Sequence, residues 1–558
     1  MEKKDLLKTT LLACLLLISN VARAIESGTY QQQQTIGSTT FYFNLERDGS
    51  GGQQAVIVGI EDATNANCVI PKTLSNYRVA YITNASMSKL EKGAFAAHLS
   101  FEAGCTAVMA PNCFEEFRLL SGIDLTNYAY NSIPTNCFKH AGADVPEGIT
   151  LTLNNKITTI EYAAFNGSGV ANCDFANTKL VEIQNLAFEG CTKLTSFTAP
   201  ATLKRLGATA FQYCYAVDNV DLSAANIINI PSKCFIGCTN LNKITFSPNL
   251  KNVETSAFQY CQKLKYIEFP PTLTIINATA FSGAGLEKVV FKGTTPPTIM
   301  QTAFQKVMNA TFYVPVDCSN AYVTKLNSTL AYPFCGLHNE KKVTDYIREQ
   351  VKISDIGYKS YYLDTENFKV PANTIAYVIT GVTSSNGMRQ ATLQTYNADM
   401  VIPKQTGFVL EAVTKGSEQI FDYAAAVSTP TETPISGNSM MKGTAATSQL
   451  YTGENGIYYV LSTNSEGKNI GFYYQKGTKG EKMTLQAHQA GLFIPTGTSF
   501  SKEFIAKFGG FSDETAGIDT INDRQEKAKT VVYDLQGRKV NHPTKGIYIV
   551  NGKKVVVK

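Results

Sequence analysis

The 558-residue chain has no tryptophan, only five histidines, and charged side chains at just 17% of its positions. Each scarcity removes a class of function. His98, His140, His338, His488 and His542 stand singly, with no H-x-x-x-H or C-x-x-C beside them, whereas a zinc site needs three or four ligands at short spacing. No metal site and no cofactor are expected. No G-x-x-x-x-G-K loop occurs, and "FNGSGV" around Ser168 lacks the G-x-S-x-G spacing of a nucleophile elbow. Beyond the N-terminus no run approaches the roughly 18 apolar residues of a membrane-spanning helix.

The formal charge of +5 is also unevenly held. Residues 524–558 carry nine Lys or Arg against two Asp or Glu, and the first 24 residues add a further excess of two positives, so the body between is near −4. A body of that sign offers no continuous basic face to a phosphate backbone, and nucleic acid is not an expected partner. The N-terminus, MEKKDLLKTTLLACLLLISNVARA, sets lysines before the apolar run Leu11–Ile18 and ends in Ala22-Arg23-Ala24, the pattern of a cleaved signal peptide over residues 1–24. A lipid on Cys14 is the alternative, but only Leu11–Ala13 would precede it as apolar stretch. The mature chain is expected outside the cytoplasm, extracellular or on an outer-membrane surface, with the periplasm as the alternative.

Against these absences stands a repeat. Phe165, Phe188, Phe211, Phe235, Phe258, Phe281 and Phe304 follow one another at intervals of 23, 23, 24, 23, 23 and 23 residues. Looser copies continue back through Phe138, Phe114 and Phe95. Counted from Phe258, apolar residues fall at Leu264, Ile267, Phe269, Leu273 and Ile276; the coil from Phe235 repeats this with Leu241, Ile244, Phe246, Leu250 and Val253. "LKYIEF" fits the L-x-x-L-x-L strand signature of leucine-rich repeats. A unit this short cannot bury its own apolar set and must stack on copies of itself. The expected fold is mostly β: a solenoid of about ten coils of ~23 residues, with one short parallel strand per coil.

Within each coil a small residue precedes the phenylalanine and cysteine or a small residue follows it by three: "AFEGC", "AFQYC", "CFIGC" and "AFQYC" again. These motifs resemble the BspA-like subfamily of leucine-rich repeats, over about residues 85–316. The resemblance implies a surface protein of Bacteroidetes that attaches to host or bacterial ligands, and a non-enzymatic one.

Flanking the repeats, alternating apolar residues around Gly49–Gly52 predict a β-hairpin within an N-terminal cap over 25–84. "VPVDCSNAYVT" opens an expected C-terminal cap over 317–339. Residues 340–510 lose the period and read as short strands such as "NTIAYVITGV" and "TGFVLEAV", an all-β sandwich-like module. The coil around "GVANCDF" fills its strand position poorly. A polar linker, 511–529, leads to a small β tail over 530–558, where Asn551-Gly552 between apolar runs signals a tight hairpin. "YDLQGRKV" and "KGIYIVNGKKVVVK" in that tail resemble the last half of the C-terminal sorting domains of type IX secretion.

The thirteen cysteines invite a chemical reading that their placement opposes. Cys191, Cys214, Cys238 and Cys261 lie three residues after a repeat phenylalanine, and Cys113, Cys137 and Cys234 just before one. Buried small side chains in a ladder are the favoured reading over disulfides or a metal. Cys318 and Cys335, outside the ladder, are the expected disulfide if one forms.

Any ligand should meet the outward strand positions. Three columns follow from the repeat register: Thr195, Asp218, Asn242 and Lys265; Ser196, Asn219, Lys243 and Tyr266; and Thr198, Asp221, Thr245 and Glu268, with Glu287 and Lys288 continuing the first two. Asp221 and Glu268, two coils apart, would stand roughly 9.6 Å from each other at ~4.8 Å per coil, which touches the carboxylate separation of inverting glycosidases. An open face gives no desolvation to raise one carboxyl and no pocket to distort a sugar. The expected function is therefore adhesion or recognition of protein or glycan ligands. The alternatives are an envelope spacer that presents 340–510 and, least favoured, a hydrolase.

Overall fold

A computed structural model describes residues 30–62, 67–83, 92, 95–307, 310–329, 343–385, 388–424, 432–451, 456–463, 470–474 and 482–495, and beyond them the strands 503–506, 517–520, 532–533, 539–540, 546–550 and 553–557. The signal-peptide segment 1–24, Cys335, His338 and His542 lie outside the described residues. The chain forms two compact units, 1–349 and 350–558.

The first unit is a solenoid of about 11 turns, and each regular turn has three sides. On the first side, short strands pair in parallel and in register: Ser196, Phe197 and Thr198 lie opposite Asn219, Val220 and Asp221, which lie opposite Lys243, Ile244 and Thr245. Tyr266–Phe269, Lys288–Phe291 and Thr311–Tyr313 continue the series. Phe197, Val220, Ile244, Ile267 and Val289 point inward and are buried. The alternation of side chains along a strand therefore turns Ser196 and Thr198, and their counterparts, to the surface.

A second side carries a strand that the sequence reading lacked. Glu182–Ile183 pairs with Arg205–Leu206, and Asn229–Ile230, Asn252–Val253, Ile275–Ile276 and Thr298–Ile299 pair in turn. Each coil thus holds two parallel strands and not one. Two-residue strands place a single inward side chain per coil, such as Ile230 or Val253, and so leave no alternating pattern to read. "GVANCDF" is a strand as well: Val170–Cys173 pairs with Ile149–Thr152, and a register shift between Ile149 and Thr150 absorbs its irregular sequence.

The third side is the phenylalanine corner. Phe114, Phe138, Phe165, Phe188, Phe211, Phe235, Phe258, Phe281 and Phe304 form one column of rings, with centroids 5.2–5.4 Å apart and planes within 9° of parallel. The amide of each from Phe114 to Phe281 donates to the residue preceding the next phenylalanine, as from Phe165 to the Ala187 carbonyl at 2.8 Å and from Phe258 to Ala280 at 2.7 Å. Intervening amides close short turns within the coil, as from Glu189 to Leu186 at 3.0 Å. The corner needs left-handed residues two before and two after the phenylalanine, and Leu186 and Gly190, Thr209 and Tyr213, and Ser256 and Tyr260 all have φ between 57° and 69°. That conformation costs an L-residue about 1–2 kcal/mol, which the inter-coil bonds offset. Where tyrosine takes the later position, the next coil has glycine: a Cβ on Gly237 would stand 2.6 Å from a Tyr213 ring carbon.

At one end Thr39–Arg47 and Gln53–Asp62 make an antiparallel hairpin, with Arg47 opposite Gln53. Beyond the last phenylalanine a helix, Ser319–Thr329, buries Tyr322, Val323 and Leu326. Its first amides are held from far along the chain: the buried Glu349 carboxylate accepts from Asp317, Cys318 and Ser319 at 2.9–3.1 Å.

The second unit is β-rich and antiparallel. Ten of its described strands link in one order from Tyr358–Tyr361 to Met441–Thr444, around a core that includes Tyr377, Ile379, Val409, Tyr459, Phe472 and Leu492. In the tail, Gly546–Val550 pairs with Lys553–Val557, with Val550 opposite Lys553.

The ring column fixes the energetics of stacking. Replacing Phe235, fully buried between Phe211 and Phe258, with alanine should cost about 3–5 kcal/mol, read from urea unfolding followed by circular dichroism.

Candidate functional site

The outward strand columns are the extended polar surface from which a site can be built. Thr195, Ser196, Thr198, Asp218, Asn242, Lys243, Lys265, Tyr266 and Glu287 are exposed, and Asn219, Asp221, Thr245, Glu268 and Lys288 are half-buried. The strands hold them in the columns given by the pairing: Ser196 beside Asn219 and Lys243, Thr198 beside Asp221 and Thr245, and Tyr266 beside Lys288.

These residues differ in what they are free to do. Asp221 is engaged in a turn, accepting the Ser223 amide at 2.9 Å. Glu268 accepts from Tyr266 Oη at 2.8 Å and from Lys292 Nζ at 2.5 Å. Both carboxylates are thus already engaged by groups of the protein itself. Burial acts to raise Glu268, but the hydrogen bonds from Lys292 and Tyr266 outweigh it and hold the carboxyl below its ordinary 4.5. Burial, and then the bond to Glu268, push the Tyr266 hydroxyl up to about 12.

A cluster therefore gathers at the C-terminal end of the face. Lys265 pairs with Glu287 at 2.8 Å across neighbouring coils. Lys288 lies 4.5 Å over the ring of Tyr313. Tyr266, 44% exposed, stands among them. Lys292 and Tyr313 were missed from sequence, although the alternation in "TFYVPV" puts Tyr313 outward in the column of Glu268. Asn219, on the second of these strands, has an Oδ1 shielded from solvent and without a hydrogen-bond partner.

The cysteines line the opposite, inward side of the phenylalanine corner. Cys191, Cys214, Cys238 and Cys261 are fully buried, and each thiol donates to the carbonyl of the phenylalanine one coil back: Phe165, Phe188, Phe211 and Phe235, at 3.0–3.2 Å. Ser168, in the same position, contacts the Cys191 sulfur at 3.3 Å. Cys113, Cys137 and Cys234 are buried beside their phenylalanines, and the sulfurs of Cys113 and Cys137 lie 3.4 Å apart. Burial pushes the Cys191 and Cys238 thiols up to about 12. These side chains cap carbonyls inside the stack.

Among the described residues no three His, Cys, Asp or Glu side chains converge as metal ligands, and no helix is long and apolar enough to cross a membrane. In the second unit the densest titratable group is buried Glu411, which accepts from Tyr377 at 2.7 Å and also from Tyr358 and Lys415. Its oxygens are occupied by structural donors.

Comparison with known proteins bears on the repeats. Residues 81–181, 107–227 and 181–311 match the BspA type leucine-rich repeat region, in 6 copies. These residues are thus similar to repeats of BspA type. Among solved structures, a leucine-rich repeat protein from Bacteroides ovatus is 17% identical, covering 51% of this chain and 94% of its own, with a TM-score of 0.21. A leucine-rich cell surface protein from Faecalibacterium prausnitzii is 14% identical, covering 52% and 95%, at 0.24. The pneumococcal vaccine antigen PcpA is 12% identical, covering 54% and 97%, also at 0.24. No curated protein matches the chain.

Two outcomes follow. With thiols near 12, roughly one in ten thousand is ionised at pH 8, so Cys191 and Cys238 should resist a thiol-disulfide reagent until the solenoid is unfolded; rapid native labelling would contradict the burial. The contribution of Glu268 to stability should be full above its unfolded 4.5 and lost as pH falls through its lower folded value. Because the pair is partly solvated, Glu268→Gln should remove only some tenths of a kcal/mol of that acid-dependent part, measured by unfolding at stepped pH.

Proposed function

We propose that the chain is a non-enzymatic, exported surface protein that binds protein ligands on host or bacterial surfaces through the outward strand columns. Repeats of BspA type in surface proteins point to protein interaction, and the cluster of Lys265, Tyr266, Glu268, Glu287 and Lys288 carries the reading to one end of this face. Its aromatic and charged groups are held in place by their neighbours before any partner arrives, which lowers the ordering cost of association. Tyrosine is also among the side chains favoured where binding energy concentrates. On this open strand face, contact is broad and multivalent. The signal peptide over 1–24 takes the chain across the inner membrane, and the tail over 530–558 serves as its address for the outer surface.

The same ion pairs favour a second reading, an envelope spacer, because charges that already neutralise one another need no partner. The two readings separate on one measurement. The mature chain is tested against immobilised fibronectin and laminin beside a variant carrying Asp221→Ala, Lys265→Ala, Tyr266→Ala and Glu268→Ala. Adhesion predicts saturable binding by the natural chain and at least a tenfold loss in the variant, about 1.4 kcal/mol. Equal behaviour of the two chains, or no binding by either, favours the spacer.

A further inference from the structure

The second strand ladder is interrupted at one step. At regular steps the Val181 carbonyl accepts the amides of Lys204 and Arg205 at 2.9 and 3.2 Å, and the Ile228 carbonyl those of Lys251 and Asn252 at 2.8 and 3.2 Å. The Ile183 and Ile230 carbonyls likewise accept from Gly207 and Glu254, at 2.7 and 2.9 Å. Between Arg205–Leu206 and Asn229–Ile230 no pairing forms among the described residues, and the ladder divides into two four-stranded sheets there. Proline explains part of the break. Pro231 stands where Gly207 and Glu254 stand in their coils and has no N–H to give the Leu206 carbonyl. This is also the one interval of 24 residues among the regular coils, Phe211 to Phe235.

A cleft of about 550 Å³ opens at the interruption, within the size range of small-molecule sites. Tyr162 and Ile228, both 45% exposed, are apolar parts of its lining. The polar lining is balanced. Arg205 donates to both Glu182 oxygens at 2.9 and 3.0 Å, and Lys204 and Glu254 add one charge of each sign. Gln184 and Asn229 supply amides; Asn229 accepts from Asn252 at 2.7 Å and keeps its own N–H donors.

We propose that this cleft is a binding site for a neutral disaccharide unit, separate from the outward strand columns. Two cations against two carboxylates leave no net field to select an anion or a cation. What remains is a set of fixed donors and acceptors beside one aromatic ring. Vicinal hydroxyls, each both donor and acceptor, match the first; the C–H face of a pyranose matches the second. The volume admits two such rings, and the open mouth lets a longer glycan continue past it.

The mature full chain is titrated with lactose, maltose, mannobiose and N,N′-diacetylchitobiose, with saturation-transfer NMR as the readout and sialyllactose and inorganic phosphate as anionic probes. At least one neutral disaccharide should give a saturable signal that Tyr162→Ala and Arg205→Ala each weaken about tenfold. Tyr162→Phe, which keeps the ring, and Tyr266→Ala, on the other face, should bind as the natural chain does. Circular dichroism checks that the variants fold, and the exposed Arg205 keeps the test decisive if Tyr162→Ala does not. No saturable disaccharide signal, preference for the anionic probes, indifference to Arg205→Ala, or loss with Tyr266→Ala would each overturn the assignment. Failure here leaves the protein-binding reading of the strand face intact, because its test uses other probes and other residues.

Discussion

The amide of each repeat phenylalanine from Phe114 to Phe281 reaches the next coil at 2.7–2.9 Å, and the rest of the solenoid answers to that bond. For it to form, the chain must swing through left-handed conformations on both sides of the ring, in every coil, and the ring must lie flat on its neighbour. The period of 23 residues is the length that returns the backbone to this corner. The phenylalanine carbonyl, turned inward by the same geometry, meets a thiol from the following coil at Cys191, Cys214, Cys238 and Cys261. Cysteine recurs there because a small, weakly donating, otherwise apolar side chain suits a carbonyl in a sealed interior. Its chemistry is incidental to its shape.

How much of this could be read from the letters depends on how many residues announced it. The phenylalanine interval and the L-x-x-L-x-L strand are long, regular signals, and they carried the fold of the repeats and the inward or outward sense of Ile267 and Tyr266. The second strand was invisible because two residues make no period. The corner was half visible: glycine at 167, 190, 237 and 283 marks a left-handed site, but tyrosine at 213 and 260 disguises it. The helix Ser319–Thr329 was missed because it depends on a carboxylate thirty residues on and has no acidic residue in its own first turn. On the candidate face, the columns followed from register, whereas the engagement of Asp221 in a turn and of Glu268 with Lys292 are matters of side-chain reach that spacing does not encode.

This architecture separates what is fixed from what can vary. Changing Phe235 disturbs two neighbours in a stack, while changing Lys243 alters only the surface. A scaffold of this kind can be given a new partner without being given a new core. It also concentrates departures from regularity where they are visible: Pro231 removes one amide, and a ladder that is continuous on either side opens at that coil.

The Glu349 cap adds an order in time. A coil can settle on the one before it as soon as both have emerged, since everything it needs is local and already folded. The end of the stack is different. The first amides of the Ser319–Thr329 helix wait for a side chain that leaves the ribosome some thirty residues later. Until then the growing solenoid has a direction but no terminus; the arrival of one carboxylate is what turns a series that could go on into a body of definite length.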